Sequence, residues 1–305
     1  MSIAPESARP SFVPRLQVLV AALLFSTGGA AIKACSFDGL QVASVRSGIA
    51  ALALVLLLGS ARRGWGRPRT WLVAVAYAAT LVLFVTSTKL TTAANAIFLQ
   101  STAPLWILML GPWLLAERFR RRDLLFLAVA AAGLAALFAG TPPPSVTAPD
   151  PATGNLLALA AGVAWACTVM GLRWLERSGE HGGLAAAAAG NLLAFVVVLP
   201  WAWPIPAGGT LDWLTLGWLG IGQIGLAYLI LTRGLGRVPA LEASLLLLVE
   251  PALNPVWTWL VHGENPGGWP IAGGALVLAA TAVKALRSSA VGGRRRAGIN
   301  RSRPN

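Results

Sequence analysis

Residues 93–117 read AANAIFLQSTAPLWILMLGPWLLAE, and residues 240–264 read ALEASLLLLVEPALNPVWTWLVHGE. With a shift of 147 residues, Ala93, Ala96, Leu99, Pro104 and Glu117 fall on Ala240, Ala243, Leu246, Pro251 and Glu264. Proline is uncommon inside an apolar helix and glutamate is rare in this chain. The equal Pro-to-Glu spacing therefore marks a duplicated unit. A duplicated, membrane-embedded unit is the usual architecture of a small-solute transporter, whose site lies between the halves.

The rest of the chain fits that setting. Of 305 residues, 56% are hydrophobic and 11% charged, against about 25% charged in a typical soluble protein. Most of the chain cannot face water, so this is a polytopic membrane protein. A membrane helix needs roughly 20 mostly apolar residues. Ten stretches qualify, near residues 15–34, 40–59, 70–88, 91–113, 122–140, 153–172, 183–203, 212–231, 240–261 and 268–286.

Arginine marks one set of ends. Arg9 and Arg15, then Arg62, Arg63, Arg67 and Arg69, then Arg118, Arg120, Arg121 and Arg122, then Arg173 and Arg177, then Arg233 and Arg237 occupy alternate connections. The intervening loops hold only Lys33 and Lys89. The positive-inside rule predicts both termini cytoplasmic and an even number of spans, in keeping with ten. The net charge of +13 is then mostly topology. The basic tail, 287–305, reads as an anchor near anionic lipid rather than as a nucleic-acid arm, and no nucleic-acid partner is expected.

The proline-rich segment 141–152 divides the chain into halves at 15–140 and 153–286, five spans each, with 1–14 as a cytoplasmic N-terminus. An odd number of spans per unit inserts the second copy upside down, so the expected fold is all-α, ten transmembrane helices in two inverted repeats. Glu117 is then expected on the cytoplasmic side and Glu264 on the outer side. Phe25 to Lys33 in the first stretch echoes Trp165 to Arg173 in the sixth.

These residues resemble the EamA-type members of the drug/metabolite transporter superfamily. The Ala…Pro…Glu pattern ends the fourth helix of each half, and Arg46 in Val45-Arg46-Ser47-Gly48 is similar to an arginine early in that family's second helix. The resemblance implies a bundle in which helices 1 to 4 and 6 to 9 surround a central cavity while helices 5 and 10 stand outside. One departure is visible, because Gly190 and Asn191 occupy the region that would repeat Arg46. The fifth stretch, from Leu124 to Gly140, has no polar side chain, which suits lipid or helix packing.

Glu250 is the outstanding candidate for solute or proton binding. It falls near the middle of the ninth stretch, where a charge costs about 2.5 to 3.5 kcal/mol. A carboxyl there can bind and release a proton, or bind an amine, or serve as a structural acid paired with Arg46 or bonded to backbone. Asn254 and Trp257 follow at i+4 and i+7 on the same face. Arg46 lies about six residues inside its span, near enough for the side chain to snorkel. It could pair with Glu250, clamp a substrate carboxylate, or act structurally. Thr91, Asn95 and Thr102 share one side of the fourth helix with Trp106 beyond, and Trp165, Thr168, Gln223, Tyr228, Ser26 and Thr27 are further candidates. Pro104 and Pro251 each remove one intrahelical hydrogen bond, which permits a hinge or a static kink.

Several motifs fall away. Gly220-Ile221-Gly222-Gln223-Ile224-Gly225 matches a dinucleotide fingerprint in letters, but no strand precedes it, and it reads as a close-packing glycine face. His181, His262, Cys35 and Cys167 form no ligand set, so neither a metal nor a cofactor is expected. Glu117 and Glu264 read as helix-end stabilisers. No Walker A loop is present, which leaves an ion or solute gradient as the energy source.

The expected function is a secondary transporter, an exporter of a small organic solute by alternating access. The alternatives are a membrane enzyme acting on lipid, which would need a paired acid–base constellation, and a non-transporting scaffold. The 21 arginines against 3 lysines suggest a GC-rich genome and a bacterial inner membrane. Homodimerisation through the fifth or tenth helix is left open.

Overall fold

The protein was analysed as a computed structural model that describes residues 12–114, 123–177, 182–235, 237–238 and 240–301. Glu117, the arginines at 118 and 120–122, and His181 lie outside the described residues, as do the side chains of Lys284 and of residues 287–305. All regular structure among the described residues is helical. Its elements are α1 (Phe12–Ser26), α2 (Gly28–Ala34), α3 (Gly39–Leu57), α4 (Pro68–Leu90), α5 (Ala93–Gln100), α6 (Ala103–Leu114), α7 (Asp123–Ala139), α8 (Pro151–Arg177) and α9 (Gly183–Ala202). There follow α10 (Thr210–Gly217), a π-helical segment (Trp218–Leu226), α11 (Ala227–Leu235), α12 (Ala240–Leu247), α13 (Val249–His262) and α14 (Gly268–Arg301).

Seven helical stretches are long and apolar enough to cross a membrane, and Asp123–Ala139 and Gly268–Val283 are shorter apolar helices. The stretches expected as single helices at 15–34, 91–113 and 240–261 are each interrupted, at Thr27, at Ser101–Thr102 and at Leu248. The last two are 147 residues apart, the same shift that aligns the repeats. Their cause is chemical. Pro104 and Pro251 have no N–H to offer the carbonyls of Gln100 and Leu247. The hydroxyls of Ser101 and Thr102 also donate to the carbonyls of Ile97 and Leu99, at 2.7 and 2.6 Å, sharing those oxygens with the amides of the same two residues. At Thr27 no proline is needed. Ser26 and Thr27 donate to the carbonyls of Leu23 and Leu24, and two glycines follow.

Helix starts are capped where loops are short. Asp38 forms a reciprocal capping box with Gln41 at the head of α3, Thr92 accepts from Asn95 N, and Asp150 accepts from Thr153 N just before Pro151.

The packing obeys a twofold exchange of the halves. Corresponding helices pair with each other: α3 with α9, α5 with α13, and α7 with α14. Other pairs swap, because α4 packs on α8 as α11 packs on α1. Corresponding helices run antiparallel. Ser44 near the start of α3 donates to Phe195 near the end of α9, while Trp65 beyond α3 reaches Ala185 at the start of α9. Likewise Gly133 faces Gly273, and Gly140 faces Trp269 and Pro270. The pseudo-twofold axis therefore lies across the helices. The glycine run 220–225 packs closely, with Gly220 against Ile49 and the Arg46 carbonyl and Gly225 against Ala53.

Candidate functional site

The hydroxyls of Tyr77 on α4 and Tyr228 on α11 meet at 2.8 Å. Tyr228 packs edge-on to Phe25 with ring centroids 5.6 Å apart, and Tyr77 packs against Trp165 at 6.5 Å. Phe25 and Trp165 are corresponding positions of the two copies, so the tyrosine pair straddles the pseudo-twofold axis. Its approach depends on Gly190 of α9, where a Cβ would lie 2.7 Å from Tyr77 Cδ1. Gly190 stands where the first copy has Arg46.

Arg46 itself is 2% exposed, which corrects the expectation that its charge snorkels toward an interface. Its Nε and Nη1 have no hydrogen-bond partner, and its charge acts on Tyr77. Neighbouring Asn191 donates to the Ala187 carbonyl at 2.9 Å while its Oδ1 stays unpartnered.

Glu250 enters this layer from the break in the ninth stretch. It is not mid-helix, as its place in the apolar run suggests, but in the first turn of α13. Its charge reaches both Tyr77 and Tyr228. No ion pair joins it to Arg46 among the described residues. The pairing open from sequence is therefore not formed in this conformation.

Asn254 and Trp257 follow Glu250 on α13 but turn to the first span. Asn254 is 1% exposed and lies against Gly29, where a Cβ would meet its Oδ1 at 2.2 Å. Trp257 Nε1 donates to Ser26 Oγ at 2.8 Å. From the π-helical segment, Trp218 Nε1 donates to Thr27 Oγ1 at 3.1 Å and Gln223 Nε2 to the Phe25 carbonyl at 3.2 Å. Gln223 Oε1 is left unpartnered. Second-half side chains thus hold the break in the first span from three directions.

On the fourth span the polar face turns to α8. Asn95 Nδ2 donates to Asn155 Oδ1 at 3.1 Å, Thr91 donates to the same oxygen at 2.7 Å, and Thr102 accepts from Trp106 Nε1 at 3.1 Å. These groups are largely satisfied inside the bundle, which separates them from the Arg46–Glu250 layer. Thr168 similarly meets Thr80 at 3.4 Å.

A second polar centre lies at the end of the bundle that carries the proline-rich linker. Lys33 Nζ is 2.8 Å from Glu264 Oε2, and both side chains are almost wholly buried. Lys33 also donates to the carbonyls of Thr91 and Thr147, while Glu264 Oε1 accepts from Ala93 N at 2.6 Å. Lys89 donates to the Cys35 carbonyl, and Asp212 accepts from Ser36 N and Oγ at 2.6 and 2.9 Å. His262, at the end of α13, bonds the Ala30 carbonyl at 2.8 Å. Sequence reading places Lys33 and Lys89 in loops and misses this clamp, because helix-end lysines carry no signal of what they will meet across the bundle. The echo of Phe25 by Trp165 was the one hint of the axis, yet Tyr77 itself carried none.

Comparison with known proteins adds the family. The EamA-like transporter family matches residues 15–139 and again 152–285. A solved structure titled "Crystal structure of protein" is 22% identical, with a TM-score of 0.57, covering 91% of this chain and 98% of its own. No curated protein matches.

Proposed function

Because the chain belongs to the EamA-like transporter family of the drug/metabolite transporter superfamily, we propose that it is a secondary exporter moving a small organic metabolite by alternating access between inverted halves. In this reading ten spans cross a bacterial inner membrane, with both termini and the arginine-rich connections cytoplasmic. The observation that carries it is the layer on the pseudo-twofold axis. Arg46, buried, and Glu250, half-buried, are two ionisable groups whose charges both reach Tyr77, in no ion pair, beside helices broken at matching places. Intramembrane ionisable groups of this kind mark solute or proton paths, and broken helices at a repeat interface mark the site in transporters.

Glu250 is the proton-coupling carboxyl, Pro104 and Pro251 are hinges, and Arg46, Gln223, Tyr228 and Trp165 meet the solute. Asn254 serves the site from behind, through the first span. Asn95, Thr102 and Trp106 couple the fourth span to α8. The Lys33–Glu264 clamp closes the linker end, since α2 packs on α4, α5, α10, the π-helical segment and α13 together. The solute then enters from the arginine-rich end.

The test is flux in proteoliposomes with a panel of amino acids, amines and nucleosides, with and without a pH gradient. Accumulation that follows the gradient supports the reading, whereas no flux of any solute together with lipid turnover sinks it. Glu250→Gln should abolish gradient-driven flux and spare solute exchange. An unchanged pH dependence would remove Glu250 from the coupling.

A further inference from the structure

We propose that Arg46 is the anchor for a carboxylate carried by the solute, an inference that rests on the transporter reading and narrows its substrate class. A guanidinium stays charged at any physiological pH. Buried without an anion it is costly, and a protein retains such a group where something outside the chain completes it. The surroundings of Arg46 contain no such anion among the described residues. The buried ion pair Lys33–Glu264 lies away from it, at the far linker end. The elements packed on α3 contribute neutral groups: the Tyr77 hydroxyl from α4, with Asn191 of α9 beside it, and Gly220 of the π-helical segment against the Arg46 carbonyl. Glu250 reaches the same tyrosines without pairing with the guanidinium.

Two kinds of donor lie near each other, since the Arg46 charge acts on Tyr77. Arg46 offers Nε and Nη1. In the Tyr77–Tyr228 bond only one hydroxyl donates to the other, so the pair leaves a second O–H to donate elsewhere. An acceptor-only, planar group matches that set, and a carboxylate is such a group. A neutral solute would leave the guanidinium unpaired, and a purely cationic one would add repulsion. Because Gly190 replaces the arginine in the second copy, the protein has one such anchor, and the carboxylate is held toward the first half.

The experiment reads thermal stability of the purified full chain in detergent. Indole-3-acetate and phenylacetate are titrated beside their uncharged amides, indole-3-acetamide and phenylacetamide. The acids should raise Tm in proportion to the logarithm of concentration, by roughly 5 °C at a hundredfold excess over Kd, and the amides should not. Arg46→Met should lose this shift and Arg46→Lys should keep part of it. Without solute, Arg46→Met should melt at or above the parent temperature, because it removes an unpaired buried charge.

Equal shifts from acids and amides overturn the proposal, as does no shift from any acid. A stabilisation by phosphatidylglycerol that no free acid reproduces places a lipid headgroup at Arg46 and also overturns it. A fall in the Tm of solute-free Arg46→Met, with non-additivity toward Glu250→Gln, makes Arg46 a structural ion partner instead. Acids that bind through Arg46 yet never cross a proteoliposome membrane leave this site standing and defeat the transporter reading.

Discussion

Gly190 shows how one missing side chain sets the centre of the molecule. Its Cβ position is 2.7 Å from the Tyr77 ring and 2.9 Å from the Ala74 carbonyl, so any larger residue must push α4 and α9 apart. Gly190→Leu should cost about 1–3 kcal/mol by overpacking and separate the two tyrosine hydroxyls. A lower Tm, with loss of solute flux, would be the measured result, and an unchanged Tm would mean that α9 shifts freely. Tyr77→Phe is milder, since it removes one hydrogen bond worth roughly 0.5–1.5 kcal/mol. Glycine at this position was visible in the sequence only as a failure to repeat Arg46. That it makes room for a ring from another helix depends on which helices pack, and hydropathy does not encode that.

At the scale of the element, two of the three helix breaks were foreshadowed, as places where proline permits a kink in a stretch expected to be one helix. Proline lacks an N–H wherever it stands, so Pro104 and Pro251 announce weakened backbone bonding before any packing is known. The break at Thr27 was not legible, because Ser and Thr hydroxyls bend a helix only when they choose backbone carbonyls over other partners. Restoring the amide tests the hinges. Pro251→Ala should leave Tm equal or higher while slowing flux by up to about tenfold, the equivalent of one added hydrogen bond. Unaltered flux would make the proline a static kink. The head of α8 gives a pH test. Hydrogen bonds from the Thr153 side chain and backbone hold the Asp150 carboxyl below the usual aspartate range. A depressed folded-state value means that the cap stabilises above the pH where a free aspartate titrates, and that this contribution fades as pH falls through the folded-state value. The drop in Tm between pH 5 and pH 3 should therefore shrink in Asp150→Ala.

At the scale of the whole molecule, the two copies are tied at the linker end by one buried ion pair. Glu264→Gln strands the Lys33 charge and should cost about 3–5 kcal/mol, read as a large fall in Tm. The charge-exchanged pair, Lys33→Glu with Glu264→Lys, should recover only part of it. A lysine at 264 cannot accept from Ala93 N, and a carboxylate at 33 cannot donate to Thr91 and Thr147. Full recovery would reduce the clamp to simple charge pairing. The duplication and the weak points at the prolines were readable from 25-residue stretches. The clamp and the tyrosine pair were not, because they join residues up to 231 positions apart or less through packing alone. The tyrosine pair has one further consequence. Two oxygens at the axis share one bridging hydrogen, so even a perfect duplicate could not treat its halves alike there. One tyrosine must give and the other receive, and reversing the pair requires only that two hydroxyls rotate, a change far smaller than any helix movement.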